Sequence, residues 1–356
     1  PTRRSSDLAF EMISPQVVSR VMMAGEIGLD GEIHGISGIL PIVLCARSLG
    51  SRFCVVPYEN LKEGRLIRDV PVAGVKNLRE LVECLKNPEP YLKREIQEEI
   101  PSIINTDMGM DFSDIEGQEG AKRAAEIAVS GFHNLLLIGP PGTGKTMLAR
   151  RLPTIMPGLG FEEKLELTRI YSIAGLLSRE HPLIDERPFR SPHHTSTPQA
   201  IAGGGRNPRP GEITLAHKGV LFLDEMPEFS RASLELLRQP MEDKVIQIAR
   251  ASGTYNFPAD FMLCAAMNPC PCGYYPDLNR CTCTAGEITH YMGKISRPLL
   301  DRIDISTEVP PVSFSQLHCG RKGENSAAIR KRVEKVQKIQ EERYKDEKIN
   351  FKIGRA

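Results

Sequence analysis

No apolar run in this sequence approaches the ~18 residues that a membrane-spanning helix needs. Nine cysteines in 356 residues are too few for a disulfide scaffold. Net charge is almost absent: 46 Lys and Arg stand against 45 Asp and Glu, a formal +1. The overall charge therefore points to no acidic partner, although a sum can hide an uneven distribution. No internal repeat is apparent. The chain opens Pro1-Thr2-Arg3-Arg4 without an initiator Met, and residues 1–8 are expected to be non-native or disordered. No signal peptide is visible, and the expected location is cytoplasmic. What is present is 40% hydrophobic and 26% charged residues, the balance of a soluble globular protein. The length predicts two or three domains, each large enough to bury a core.

Short apolar runs alternate with turn signals through the first ninety residues. Glu26 to Ile33 reads as two strands about the Asp30-Gly31 turn. Ile39 to Leu49 reads as an apolar helix, Phe53 to Pro57 and Val70 to Val75 as buried strands. Asn77 is placed to N-cap a helix over Leu78 to Leu85. Asn87-Pro88-Glu89-Pro90 breaks this pattern, and residues 91–106 read as a charged linker. A second α/β unit starts near Asp107. It has a helix over Gln118 to Ser130, and strands at Leu135 to Ile138, Val220 to Leu223 and Phe261 to Ala266. Continuous apolar runs of this kind predict a parallel sheet covered on both faces. Ser326 to Glu347 is predicted helical and highly charged.

Gly139-Pro140-Pro141-Gly142-Thr143-Gly144-Lys145-Thr146 matches the phosphate-binding pattern G-x-x-x-x-G-K-[ST]. A strand precedes it and a helix, Met147 to Leu152, follows. The glycines let backbone N–H groups close around phosphate oxygens, and the helix N-terminus adds partial positive charge. Lys145 is expected to reach the β- and γ-phosphates of ATP and Thr146 to bind Mg²⁺. Val220-Leu221-Phe222-Leu223-Asp224-Glu225 then delivers two carboxylates at the end of an apolar strand. Asp224 is expected at the Mg²⁺ site, and Glu225 is expected to polarise the attacking water.

These segments, with Ile115-Glu116-Gly117-Gln118-Glu119, Phe189-Arg190-Ser191-Pro192-His193-His194, Asn268-Pro269-Cys270-Pro271-Cys272-Gly273 and Leu299-Leu300-Asp301-Arg302, stand in the order of a known family. The chain resembles the Mg-chelatase-like AAA+ ATPases of the YifB/ComM branch. The resemblance implies an α/β fold: a P-loop AAA+ parallel-sheet core over residues 107–312 and the start of a helical lid over 313–356. Residues 9–90 resemble part of a Lon-protease-like α/β domain (S5 domain 2-like). It implies that Asn268 orients water at the γ-phosphate and that Gln118 and Met147 flank the nucleotide. Arg302 is implied to be an arginine finger serving a neighbouring subunit, hence a homo-hexameric ring; an ion pair with Asp301 or Asp304 is the alternative. Arg297 stands where the family usually has Gly and adds a second arginine of unassigned role. In Lon-like peptidases a lysine base follows a Gly-Leu turn; Ser37-Gly38-Ile39-Leu40 sets Leu40 there. Leucine cannot serve as that base, so peptidase activity is not expected.

Cys270, Cys272, Cys281 and Cys283 form two close pairs able to meet around structural Zn²⁺, with unligated thiols or a disulfide as alternatives. His193 and His194 are adjacent on an extended segment, point apart, and are expected in pore-lining or packing roles. Val245 to Thr254 reads as a hairpin with Arg250 near its tip, and Gly203 to Pro210 as a loop carrying Arg206 and Arg209. These three arginines are the candidates for gripping a DNA backbone without reading bases, a solvated surface arginine being the alternative for Arg250. Arg321 to Ala356 carries twelve Lys and Arg against six Asp and Glu, a local +6 that suits either a phosphate backbone or a solvated lid. The expectation is thus an ATP-hydrolysing ring motor acting on single-stranded or branched DNA, as helicase or branch-migration enzyme, with no membrane partner. The rival expectation is a chelatase-like ATPase chaperone that drives metal insertion or remodels a protein partner.

Overall fold

The computed structural model describes residues 18–94, 109–177, 182–205, 208–250, 253–311 and 323–344. Residues 1–8, most of the 91–106 stretch, Arg206, the Arg250 side chain and the chain beyond residue 344 lie outside them. The chain divides into two compact units. One is drawn from residues 1–104 together with 160–185, the other from 105–159 and 186–356. The linear domain division expected from the sequence did not foresee residues 160–185 joining the first unit.

The first unit is built on a three-stranded parallel sheet, β1 (Val21–Met23), β4 (Phe53–Pro57) and β5 (Val72–Val75), in the order β1-β4-β5. The expected hairpin is formed by β2 (Glu26–Ile27) and β3 (Ile33–His34). Helix α1 (Ile39–Ser48) buries Ile39, Leu40 and Val43 completely against Cys54, Val56 and Val72. Leu40 is therefore a core residue. Helix α2 (Leu61–Gly64) brings Glu63 under the start of α1, and α3 (Leu78–Lys86) is capped as expected, Asn77 Oδ1 accepting the Glu80 N–H at 3.0 Å.

Helix α1 has no capping side chain of its own, because Gly38 precedes it in the left-handed region (φ 86°). Its first amides are satisfied from elsewhere. Leu40 N–H donates to Glu63 Oε1 at 3.0 Å, and Gly38 N–H donates to Ser172 Oγ at 3.0 Å. Ser172 Oγ in turn donates to Glu63 Oε1 at 2.5 Å. Ser172 belongs to the helix Phe161–Ala174, which follows the P-loop helix in sequence and packs on α1.

The second unit contains a five-stranded, wholly parallel sheet in the order β14-β6-β13-β10-β7. The strands are β6 (Leu135–Ile138), β7 (Phe189–Arg190), β10 (Val220–Leu223), β13 (Met262–Met267) and β14 (Ile305–Glu308). Alternate side chains feed two apolar clusters: Leu135, Leu137 and Phe222 enter one, Leu136, Leu221 and Leu263 the other. That is the two-sided burial anticipated from the unbroken apolar runs. Helices α4 (Glu119–Gly131) and α5 (Lys145–Ile155) line the first cluster, and α8 (Ser326–Arg343) adds Ile329 and Val333 to it. Between β7 and β10 the two-residue strands β8 (Gly203–Gly204) and β9 (Arg209–Pro210) pair antiparallel. Strands β11 (Val245–Arg250) and β12 (Gly253–Pro258) form the expected hairpin, Arg250 pairing with Gly253. Helices α6 (Ala285–Met292) and α7 (Arg297–Leu300) lie between β13 and β14 in the chain. No helix among the described residues is long and apolar enough to cross a membrane.

Asn134 fastens this sheet where β6 begins. Its Oδ1 accepts the Leu263 N–H at 3.0 Å and its Nδ2 donates to Arg302 O at 2.7 Å. The first bond is buried and the second partly so, where an unmade bond is costly.

Ser172 fills the gap left by a helix without its own cap. Ser172→Ala removes a bridge of two hydrogen bonds and is expected to cost about 1–3 kcal/mol. Urea unfolding followed by circular dichroism should show the lowered midpoint; an unchanged midpoint would mean that Glu63 alone caps α1.

Candidate nucleotide site and cysteine cluster

The P-loop leaves β6 at Gly139, whose N–H donates to Met267 O at 3.2 Å. A Cβ at Gly139 would stand 2.2 Å from Val309 O, so only glycine fits there. Gly142 and Gly144 are left-handed (φ 76° and 87°), which turns the backbone into the first residue of α5. That residue is Lys145, only 8% exposed. Its Nζ donates to Gly139 O at 2.6 Å, Pro140 O at 2.8 Å and Asn268 Oδ1 at 3.2 Å. Burial holds the Lys145 ammonium below the ordinary lysine range, opposed by the nearby carboxylates of Asp224 and Glu225.

Four strand ends supply the remaining groups. Thr146 Oγ1, at the start of α5, donates to Asp224 Oδ2 at 2.7 Å, joining the ends of β6 and β10. Glu225 follows in the left-handed region (φ 51°), half exposed, its N–H donating to Asp224 Oδ1 at 3.1 Å. Asn268 follows β13, with the buried Tyr291 phenol near its backbone. Beyond β7 comes His194, whose Nδ1 lies 3.8 Å from Glu225 Oε2. The His194 ring rests on His193 at 4.1 Å and meets Phe229 edge-on. Thr143 Oγ1 donates to Pro140 O, and Met147 lies partly exposed on α5.

Gln118 precedes α4 in the left-handed region (φ 57°). Its Nε2 donates to Thr143 O at 3.2 Å and to Pro310 O at 2.5 Å, while its Oε1 is buried without a hydrogen-bond partner among the described residues. Among the described residues, an acceptor left unpaired beside the loop, a lysine bonded to two carbonyls and Asn268, and the Thr146–Asp224 hydroxyl–carboxylate pair form a set that fits a nucleotide with Mg²⁺.

Arg302 is not drawn into this group. Its side chain is 17% exposed, with Nη2 paired to Glu242 and Nη1 donating to Pro298 O. Its Nε is buried with no hydrogen-bond partner among the described residues. The ion pair considered from the sequence, with Asp301 or Asp304, is replaced by one with Glu242; Asp304 Oδ2 instead accepts the Asn134 N–H at 2.8 Å. Arg297 and Arg209 are exposed. Glu242 and His194 carried no signal for these places, since each meets its partner only through folding.

The four cysteines do come together. All four Sγ atoms lie within 4.8 Å of one another. Cys270 and Cys272 are 3.3 Å apart, Cys272 and Cys281 3.6 Å, and Cys270 and Cys281 3.8 Å. A tetrahedral Zn–S bond of about 2.3 Å sets sulfurs about 3.8 Å apart. A disulfide requires about 2.05 Å. The backbone N–H of Tyr274, with that of Thr282 behind it, holds the Cys272 thiol down at about 6. Cys272 is thus set to be the first of the cluster to give a thiolate, while Cys281 and Cys283 are shifted upward.

Residues 111–317 match the family of magnesium chelatase, subunit ChlI. The competence protein ComM of Haemophilus influenzae is 40% identical over 337 residues, covering 94% of this chain and 66% of that protein. The uncharacterized protein YifB of Escherichia coli is 39% identical over 329 residues, 91% of this chain and 63% of its own length. An uncharacterized Mycobacterium tuberculosis protein is 42% identical over 318 residues, covering 89% of this chain. The chain spans 62% of that protein's length.

Because Gln118 ties the P-loop to Pro310, Gln118→Ala should loosen the loop. The expected result is a dissociation constant for a fluorescent ATP analogue raised about tenfold, or about 1.4 kcal/mol. Unchanged affinity would show that these two bonds do not shape the site.

Proposed function

Since this chain belongs to the magnesium-chelatase family of AAA+ ATPases, in its YifB/ComM branch, we propose that it is a ring motor of six copies that couples ATP hydrolysis to movement along single-stranded or branched DNA. Helicase or branch-migration work is the activity this reading assigns. The observation that carries its ATPase half is the Thr146–Asp224 contact at 2.7 Å, set beside Lys145 and Asn268 on neighbouring strand ends.

On this reading the roles follow from position. Lys145 exchanges the Gly139 and Pro140 carbonyls for the β- and γ-phosphates of ATP. Thr146 and Asp224 hold Mg²⁺, which when bound neutralises phosphate charge. Glu225 takes the proton of the attacking water, and His194, the imidazole beside it, orients the carboxylate. Asn268 fixes the water from the other side. Arg302 acts on the ATP of the next copy, and must leave Glu242 to do so. Zn²⁺ is held by Cys270, Cys272, Cys281 and Cys283 as a structural ion.

Three features support the DNA half. The β11–β12 hairpin, exposed along Gly253 to Tyr255, leads within a few residues into β13 and Asn268. A pull on the hairpin therefore reaches the hydrolytic site through one strand. Arg209, and Arg250 at the end of β11, supply cations of the kind that grip a backbone. The relative from Haemophilus influenzae is named a competence protein, which supports a role in DNA uptake and recombination.

The test is the ATPase rate with and without single-stranded, duplex and forked DNA at several salt concentrations. Stimulation that fades as salt rises is expected; no stimulation and no salt-sensitive binding would reject a motor on DNA. Glu225→Gln should bind ATP normally and lose turnover by about a hundredfold or more. Arg302→Ala should likewise stop turnover and spare binding; normal turnover in that variant would remove the arginine from the trans role.

A further inference from the structure

The segment from Asn268 to Tyr291 is locked to the nucleotide site at several points. The Asn268 side chain meets Lys145 Nζ at 3.2 Å, and its backbone lies near the buried Tyr291 phenol. Between Asn268 and Tyr291 only Cys270 and Gly273 are buried. Leu278 and Tyr275 stand out in solvent. A stretch this long with so little apolar contact has no core to set its shape. Its shape comes from the turn Cys270–Gly273, closed by Gly273 N–H to Cys270 O at 3.0 Å, and from the four converging sulfurs.

That turn abuts the P-loop. Gly273 is left-handed (φ 86°), and a Cβ on it would lie 2.6 Å from Pro141 Cδ and 3.8 Å from Asn268 Cγ. Cys270 and Cys272 thus sit in the same four-residue turn that backs Pro141. Cys283 sits immediately before Thr284, the N-cap of α6, which carries Tyr291. Any spreading of the sulfurs shifts the backing of the P-loop and the support of Asn268 together.

We infer that the four-cysteine metal centre controls nucleotide binding, metal occupancy pressing the Cys270–Gly273 turn against Pro141 and keeping Asn268 at Lys145. This rests on the zinc assignment above and goes beyond it. A purely structural zinc could be lost with local fraying alone, whereas here its loss must be felt by ATP. Metal-dependent coupling of this kind makes the ATPase responsive to zinc supply.

The experiment uses the whole protein, purified under reducing conditions. Metal content is measured by atomic emission, and affinity for a fluorescent ATP analogue by titration in excess Mg²⁺, before and after a zinc-selective chelator. One Zn²⁺ per chain is expected, with the dissociation constant rising at least tenfold on its removal and recovering when Zn²⁺ is returned. Cys281→Ser with Cys283→Ser should reproduce the metal-free value. Gly273→Ala gives an independent arm: it should keep its zinc and still bind the analogue at least tenfold more weakly. A protein that holds no metal overturns the zinc assignment and the coupling together. One Zn²⁺ per chain, with affinity indifferent to its removal, overturns the coupling alone, whatever Gly273→Ala does.

Discussion

The parallel pairing of β6, β13 and β10 is the constraint on which the chemistry of this chain depends. Ile138 stands opposite Met267, and Leu223 opposite Ala265. These registers bring Gly139, Asn268 and Asp224 to one edge of the sheet. The strands are buried on both faces, so their backbone groups can be satisfied only by one another. A slip of one residue would turn every side chain to the other face and part Thr146 from Asp224. Asn134 resists such a slip by joining β6 to Leu263 and to the Arg302 carbonyl through one buried amide.

Around that edge the cations are held by local partners. Lys145 is turned onto loop carbonyls and Asn268, and Arg302 onto Glu242 and the Pro298 carbonyl of the helix before it. Both are largely out of water, where a charge is costly unless paired. A phosphate that takes Lys145, or a neighbouring copy that takes Arg302, must therefore offer better ligands than these.

Two segments outside the central sheets occupy informative places. The cysteine loop, set between the ends of β13 and α6, touches the P-loop at Pro141. The helix Phe161–Ala174, which follows the P-loop helix in sequence, completes the first unit through Ser172. The cysteine loop is shaped by its turn and sulfurs, whereas the helix adds the Ser172 bridge to an apolar face that includes Leu167 and Ile170. That is why each carries a residue type, Gly273 or Ser172, that its surroundings admit and few others match.

The sequence alone determined everything that rests on near neighbours. The P-loop was legible because its glycines, lysine and threonine act through the backbone that carries them. The buried strands were legible because a dry sheet requires unbroken apolar runs, and the Asn77 cap because it bonds within three residues. The cysteines could be grouped from spacing, but only the fold brought their four sulfurs within 4.8 Å of one another. Glu242 beside Arg302, His194 beside Glu225 and Ser172 beneath α1 were decided by tertiary structure. Each pair is joined by strand order or helix packing across 31 to 134 positions of chain. Single polar residues such as these leave no periodic mark, since one hydrogen bond or ion pair needs no pattern around it.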